Sequence, residues 1–170
     1  MAPKGHSTRP TSDRARQALF NVLEHAPWGR ASGGARVLDL FAGSGALGLE
    51  ALSRGAGFCL FVDSDRAARA AIGANIGVLG YAARAKTLAA DARTLGLAAE
   101  AFDIAFLDPP YGNGLAEASL ASLHAGGWLA SDALIAVERG ADEAALAAPR
   151  YEILDRRRWG AACVWFLKPG

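Results

Sequence analysis

Five short apolar runs separated by helix-length segments constrain this chain more than any other feature of its sequence. They are Arg36-Val37-Leu38-Asp39-Leu40-Phe41, Phe58-Cys59-Leu60-Phe61-Val62, residues 84–89, Phe102-Asp103-Ile104-Ala105-Phe106-Leu107 and Ala133-Leu134-Ile135-Ala136-Val137. A strand covered on both faces reads as a nearly continuous apolar run, whereas a half-exposed strand alternates. Between the runs, helices are predicted over residues 45–54, from about Asp65 to Leu79, weakly near 92–100, from about Leu115 to His124, and briefly over 141–147. Strands alternating with helices in this way form a parallel sheet with helices on both faces. The end of the chain differs: Tyr151-Glu152-Ile153-Leu154 and Ala162 to Leu167 flank Trp159-Gly160 with no helix between them, which reads as an antiparallel hairpin. The prediction is a seven-stranded, mostly parallel α/β sheet closed by that hairpin. Ahead of it, Thr11 or Ser12 is suited to cap a helix carrying Ala15, Leu19, Val22 and Leu23 on one face. Pro27 and the Gly29-to-Gly34 stretch end that helix. Residues 1–30 are read as an extension and helix, 31–170 as the core, and the whole as a single domain.

Bulk properties exclude several classes. Hydrophobic residues make up 52% and charged residues 21% of the 170, a globular balance. No apolar stretch approaches the roughly 20 residues needed to cross a bilayer, so no membrane partner is expected. Cys59 and Cys163 are isolated from each other and from the three histidines, which argues for reduced thiols, a reducing cytoplasm and no metal site. The net charge of +1 is unevenly spread. Residues 1–16 and 150–170 each carry +3, leaving −5 in the middle. A polyanion would therefore be gripped by the termini, through Arg9, Thr11 and Arg14 at one end and Arg156, Arg157 and Arg158 at the other. The three arginines equally suit the solvated face of an edge strand, where charge discourages aggregation.

The first run leads into Ala42-Gly43-Ser44-Gly45 and opens a helix carrying Gly48. Gly43 and Gly45 allow a ligand to approach the backbone, and Gly48 allows helix and strand to pack closely. Asp63 ends the second run 20 residues after Gly43, where a carboxylate can accept from two ribose hydroxyls; Ser64 follows it. Asp39 could bond an ammonium beside the turn. Asp91, with Ala92 next to it, could accept from an exocyclic adenine amine. S-adenosyl-L-methionine offers ammonium, ribose and adenine, one for each aspartate. The glycine pattern alone also fits an NAD-dependent oxidoreductase, and each aspartate alone also fits a helix cap.

Asp108-Pro109-Pro110-Tyr111 ends the fourth run, and Asp108 is a candidate for contact with the cofactor as well as with the base. Prolines cannot donate to a sheet ladder, so the strand stops at a rigid corner presenting a carboxylate, carbonyls and a ring. A nucleobase amine is a weak nucleophile because its lone pair is delocalised. Acceptors aimed at its two N–H bonds, here the Asp108 carboxylate and the Pro109 carbonyl, favour pyramidalisation. Tyr111 is placed to stack on a base swung out of its helix. On the residues alone, guanine N2, adenine N6 and cytosine N4 all remain open as targets.

Thr8-Arg9-Pro10-Thr11-Ser12-Asp13-Arg14-Ala15-Arg16 with Leu19-Phe20-Asn21, the stretch Phe41 to Ala56, and the Asp-Pro-Pro-Tyr corner together resemble the RsmD family of bacterial methyltransferases. The likeness runs from about Lys4 to Leu167. It implies a Rossmann-like class I fold and S-adenosylmethionine as cofactor. The implied reaction is methylation of the exocyclic N2 amine of a specific guanine in 16S rRNA, within the small ribosomal subunit. By motif position it implies Gly43, Gly45, Asp63 and Asp91 at the cofactor, Asp108, Pro109, Pro110 and Tyr111 at the guanine, and Thr11 and Asn21 at the mouth of the site. Family members carry a short basic, glycine-rich leader ahead of the Pro3-Lys4-Gly5 equivalent. The expectation is that RNA affinity, more than cofactor binding, depends on it. A monomer is expected by default.

Overall fold

The structure is a computed structural model and describes residues 13–170. Helix α1 spans Asp13–His25, followed by strand β1 (Arg36–Leu40), helix α2 (Ala46–Ser53), β2 (Phe58–Val62) and α3 (Arg66–Leu79). Then come β3 (Ala85–Leu88), β4 (Phe102–Leu107), α4 (Leu115–Ala125), β5 (Leu129–Gly140), β6 (Tyr151–Trp159) and β7 (Ala162–Pro169). The seven strands form one sheet in the order β3-β2-β1-β4-β5-β7-β6. The first five are mutually parallel, and β7 and β6 add an antiparallel pair at the edge. The sheet predicted from the apolar runs is the one found.

Its two faces carry separate apolar layers. Phe20 and Leu23 of α1, Leu52 of α2 and Ile72 of α3 pack on Phe61, Phe106 and Phe166. On the other face Leu120 and Leu123 of α4 meet Leu38, Leu107, Ile135 and Val137. Phe20, Phe61, Phe106 and Phe166 are fully buried, each contributing about 1.5–3 kcal/mol by its removal from water. Trp128 is buried in the second layer, whereas Trp28 and Trp165 are only partly buried against the core.

Two predicted helices are absent. Residues 92–100 form turns and loop because their polar groups are committed to α4 and the turn after it. The N–H of Leu95 donates to Ser122 Oγ, that of Ala98 to the Gly126 carbonyl, and Trp128 Nε1 donates to the Gly96 carbonyl. Gly96 itself lies at φ 75°, outside helical space. Residues 141–147 also stay open: the Ala141 N–H pairs with the Ala161 carbonyl, and Glu143 turns its carboxylate back onto Gly140. Strands β5 and β6 run further than expected, so that Arg156, Arg157 and Arg158 lie within the edge strand. The expected cap of α1 at Thr11 or Ser12 falls outside the described residues.

Candidate functional site

The strand order reverses direction between β1 and β4. These neighbours end side by side, with Leu40 paired to Leu107. In open α/β sheets the crevice at such a reversal, beyond the carboxyl ends of the strands, is where ligands bind. The glycine turn leaves β1 at this point and the Asp-Pro-Pro-Tyr corner leaves β4. The sequence motifs thus converge on one crevice from segments more than 60 residues apart.

The turn is built from left-handed backbone at Phe41 (φ 57°), Gly43 (φ 59°) and Gly45 (φ 81°), and closed by a 2.7 Å bond from the Gly45 N–H to the Ala42 carbonyl. Its glycines have different roles. A Cβ on Gly48 would collide with the Phe61 ring and lie 2.7 Å from Cys59 Sγ, so Gly48 lets α2 sit tightly on β2. Among the described residues, a Cβ on Gly43 would meet nothing nearer than the Phe41 carbonyl at 3.9 Å, so its outer face is open there. That open cradle, ringed by acceptors, fits a nucleoside-bearing cofactor.

Asp63 holds the turn from the end of β2. Its Oδ2 accepts the Gly43 N–H and its Oδ1 the Asp65 N–H, both at 2.9 Å. Asp65, and not Asp63, caps α3 by accepting from Ala67 and Ala68, which leaves Asp63 facing the turn. Ser64 is exposed between them. Asp39 lies beneath the turn, 2% exposed, with Oδ2 accepting the Gly48 N–H at 3.0 Å. Burial pushes its carboxyl up to about 8. The Gly48 bond works against that rise, and the Asp63 charge adds to it.

Asp91 follows β3 and is forked by Arg93, with Nε to Oδ1 at 3.0 Å and Nη2 to Oδ2 at 2.6 Å. Those hydrogen bonds hold its carboxyl down to about 2. Ala92 beside it is buried. The Arg93 fork is not legible in the sequence, where an i, i+2 Asp–Arg pair in a loop is a weak signal.

At the corner, Asp108 is half-buried, Pro109 buried, Pro110 exposed, and Tyr111 37% exposed. Gly112 (φ 82°), Asn113 (φ 64°) and Gly114 (φ 64°) then run in left-handed backbone into α4. The Gly112 N–H donates to Glu143 at 2.6 Å, a second partner that the sequence does not reveal. An apolar cleft opens on the α1 side of the corner, lined by Leu19, Leu47, Phe106, Leu107, Glu138 and Trp159.

The candidate RNA contacts do not all fall on described residues. Arg9 and Thr11 lie outside them, while Arg14 and Asn21 are exposed on α1. Arg156, Arg157 and Arg158 are exposed on β6. Arg156 lies 5.2 Å over the Trp165 ring, Arg157 pairs with Asp155 at 2.8 Å, and Arg158 donates to the Gly160 carbonyl. Because β7 pairs its Ala162 with both Gly140 and Trp159, the Arg158 end of the hairpin is level with the crevice. Among the described residues, no group of His, Cys, Asp or Glu is arranged to hold a metal ion, and no helix is long and apolar enough to cross a membrane. Both thiols are buried, and burial pushes each above its ordinary value.

Sheet order, glycine turn and corner together define a Rossmann-like class I methyltransferase fold, completed by the antiparallel hairpin. Solved structures agree. The Escherichia coli protein yhhF matches with a TM-score of 0.83 at 33% identity, covering 99% of this chain and 90% of that one. A SAM-dependent methyltransferase from Thiobacillus denitrificans, solved with S-adenosyl-L-homocysteine, shares the fold at a TM-score of 0.63 and 21% identity, covering 79% of this chain and 51% of that one. In sequence, the ribosomal RNA small subunit methyltransferase D of Escherichia coli K12 is 42% identical over 137 residues, 80% of this chain. That alignment spans 66% of the relative's length, just under two thirds. The Haemophilus influenzae protein of the same name is 33% identical over 156 residues, 89% of this chain and 78% of its own. The family described as Conserved hypothetical protein 95 matches residues 1–168. The chain belongs to this family, the RsmD family that its motifs resemble.

Proposed function

We propose that this protein methylates the exocyclic N2 amine of one guanine in 16S ribosomal RNA, within the small ribosomal subunit, using S-adenosyl-L-methionine. The observation that carries the reading is the convergence of the open Gly43 turn and the Asp108-Pro109-Pro110-Tyr111 corner on the crevice between β1 and β4. The names of the curated relatives support ribosomal RNA as the substrate class. The chain would act in the cytoplasm, as a single domain and a monomer, with no metal.

Bound in the crevice, S-adenosylmethionine supplies a methyl group made electrophilic by its sulfonium. The residues that would hold it are Ala42, Gly43, Ser44 and Gly45 through backbone, Asp63 and Ser64 at the ribose, and Asp91 with Ala92 at the adenine. Asp39, whose carboxyl is raised by burial, would be drawn toward its ionised form by an ammonium nearby.

The corner prepares the amine. The Asp108 carboxylate and the Pro109 carbonyl accept its two hydrogens and localise its lone pair. Guanine presents N1–H and N2–H side by side, which suits one carboxylate, but the same corner serves an adenine amine, so the family resemblance carries the choice of guanine. Tyr111 stacks on the extruded base, recovering about 1–3 kcal/mol of the unstacking cost. Asp108 need not be a strong base, since the amine loses its proton readily once methylated. Alignment of amine and methyl group supplies most of the remaining catalysis.

The reading is tested by methyl transfer from labelled S-adenosylmethionine to small subunits lacking the modification, with the labelled nucleotide mapped. Label on one guanine N2 is expected. Label on adenine N6 or cytosine N4 would keep the chemistry and overturn the target.

A further inference from the structure

The Asp-Pro-Pro-Tyr corner leads into an unusual piece of backbone. Gly112, Asn113 and Gly114 all lie at positive φ, and Asn113 bears a steric cost there that glycine does not. Such a segment keeps one shape only if its surroundings hold it. The hold comes from beyond the end of β5, 31 residues on. Glu143 Oε1 accepts the Gly112 N–H at 2.6 Å, and Oε2 accepts the Gly140 N–H, also at 2.6 Å. One carboxylate thus bridges the corner to the end of β5. Gly140 has a second role: a Cβ built there would lie 3.2 and 3.3 Å from Cδ2 and Cε2 of Tyr111, so the ring rests directly on this glycine. Arg139, 9% exposed and ion-paired to Glu117 of α4, brings its Nε to 4.0 Å from Glu143 Oε2, the limit of an ion pair.

We propose that Glu143 is a positioning residue for the Tyr111 ring, acting through Gly112, with Gly140 as the seat against which the ring is set. The inference rests on the reading of Tyr111 as the platform for the target base. The chemistry requires a carboxylate in particular. Both backbone groups facing Glu143 are N–H donors, so each must meet an acceptor. Glutamine of the same size satisfies one and turns an NH₂ against the other. The bonds are charge-assisted and span two segments, so losing them loosens the Gly112 end of the corner, on which the Tyr111 ring depends, and leaves the glycine turn untouched.

The test is a double-mutant cycle read by methyl transfer to unmodified small subunits. Glu143→Ala is expected to lower kcat by roughly tenfold to a hundredfold, the scale of a misplacement near 1 Å. Glu143→Gln should fall between it and wild type. The Kd for S-adenosylmethionine and the KM for subunits should stay within about twofold, a split that general loss of structure does not produce. Tyr111→Ala should be slower still, and adding Glu143→Ala to it should cost nothing more. An equal cost of Glu143→Ala in both backgrounds, or a normal kcat in Glu143→Ala beside a slow Tyr111→Ala, overturns the positioning role. A normal Tyr111→Ala overturns the platform reading itself. If Glu143→Ala does not fold, Glu143→Gln against Tyr111→Ala separates the same outcomes, because it removes one bond and keeps the side-chain volume. Gly140→Ala supplies a further check: its methyl group would crowd the Tyr111 ring more closely than it does Glu143 Oε2 at 3.4 Å, so it should slow kcat, and an unaltered rate counts against the seat.

Discussion

The Asp63 carboxylate accepts the Gly43 N–H at 2.9 Å and so ties the turn after β1 to the end of β2. The strand order brings these residues together, since β1 and β2 are parallel neighbours with Leu40 paired to Val62. The bond fixes the turn before any ligand arrives, which reduces the ordering cost of binding.

If Asp63 both shapes the turn and receives the ribose, its replacement acts twice. Asp63→Ala removes a charge-assisted bond of about 1.5–3 kcal/mol, so cofactor Kd should rise at least tenfold. Titration calorimetry measures this. An unchanged Kd would detach Asp63 from the cofactor.

Asp39 makes a pH prediction whose sign follows from its raised carboxyl. Unfolded, it loses its proton near pH 4; folded, it holds it to about 8. Between those values the native state binds more protons, so stability falls as pH rises through this window and levels off above. Asp39→Asn keeps an acceptor for Gly48 without the titration. Denaturant unfolding of both proteins from pH 4 to 9 should show wild type losing ground to the variant through this window. Parallel curves would mean that Asp39 is ionised in the native state.

Two glycines of the turn and the helix it opens should fail differently. Gly48→Ala forces a methyl group against Phe61 and Cys59 and should cost about 1–3 kcal/mol of stability. Gly43→Ala meets open space, so its stability cost should be limited to about 1–2 kcal/mol of left-handed backbone strain, while its methyl group blocks the cradle and weakens cofactor binding. Thermal melts with and without cofactor separate the two. Equal ligand-induced stabilisation in Gly43→Ala and wild type would place the cofactor elsewhere.

Much of this arrangement is legible in the sequence, for physical reasons. Strands β1, β2 and β4 are buried on both faces and must be largely apolar, so their ends locate the turn, Asp63 and the corner. Strand β6 hides its length because it is an edge: Asp155-Arg156-Arg157-Arg158 shows no apolar pattern, and its partners lie on β7 alone. The segments 92–100 and 141–147 have helix-forming composition, yet Ser122, Gly126 and Ala161 take up their polar backbone. Glu143 is illegible for a related reason. Its worth lies in Gly112, 31 residues earlier, and no local pattern records that contact.

The central claim is that the Asp108 corner performs amine methylation on ribosomal RNA. Its most direct test compares wild type with Asp108→Ala, both first shown to bind S-adenosylmethionine, for transfer of labelled methyl to unmodified small subunits. Asp108→Ala should lose at least about a hundredfold in kcat with a much smaller change in cofactor Kd, since it removes an acceptor that acts on the reacting amine. Transfer to the same guanine at wild-type rate by Asp108→Ala would contradict the account.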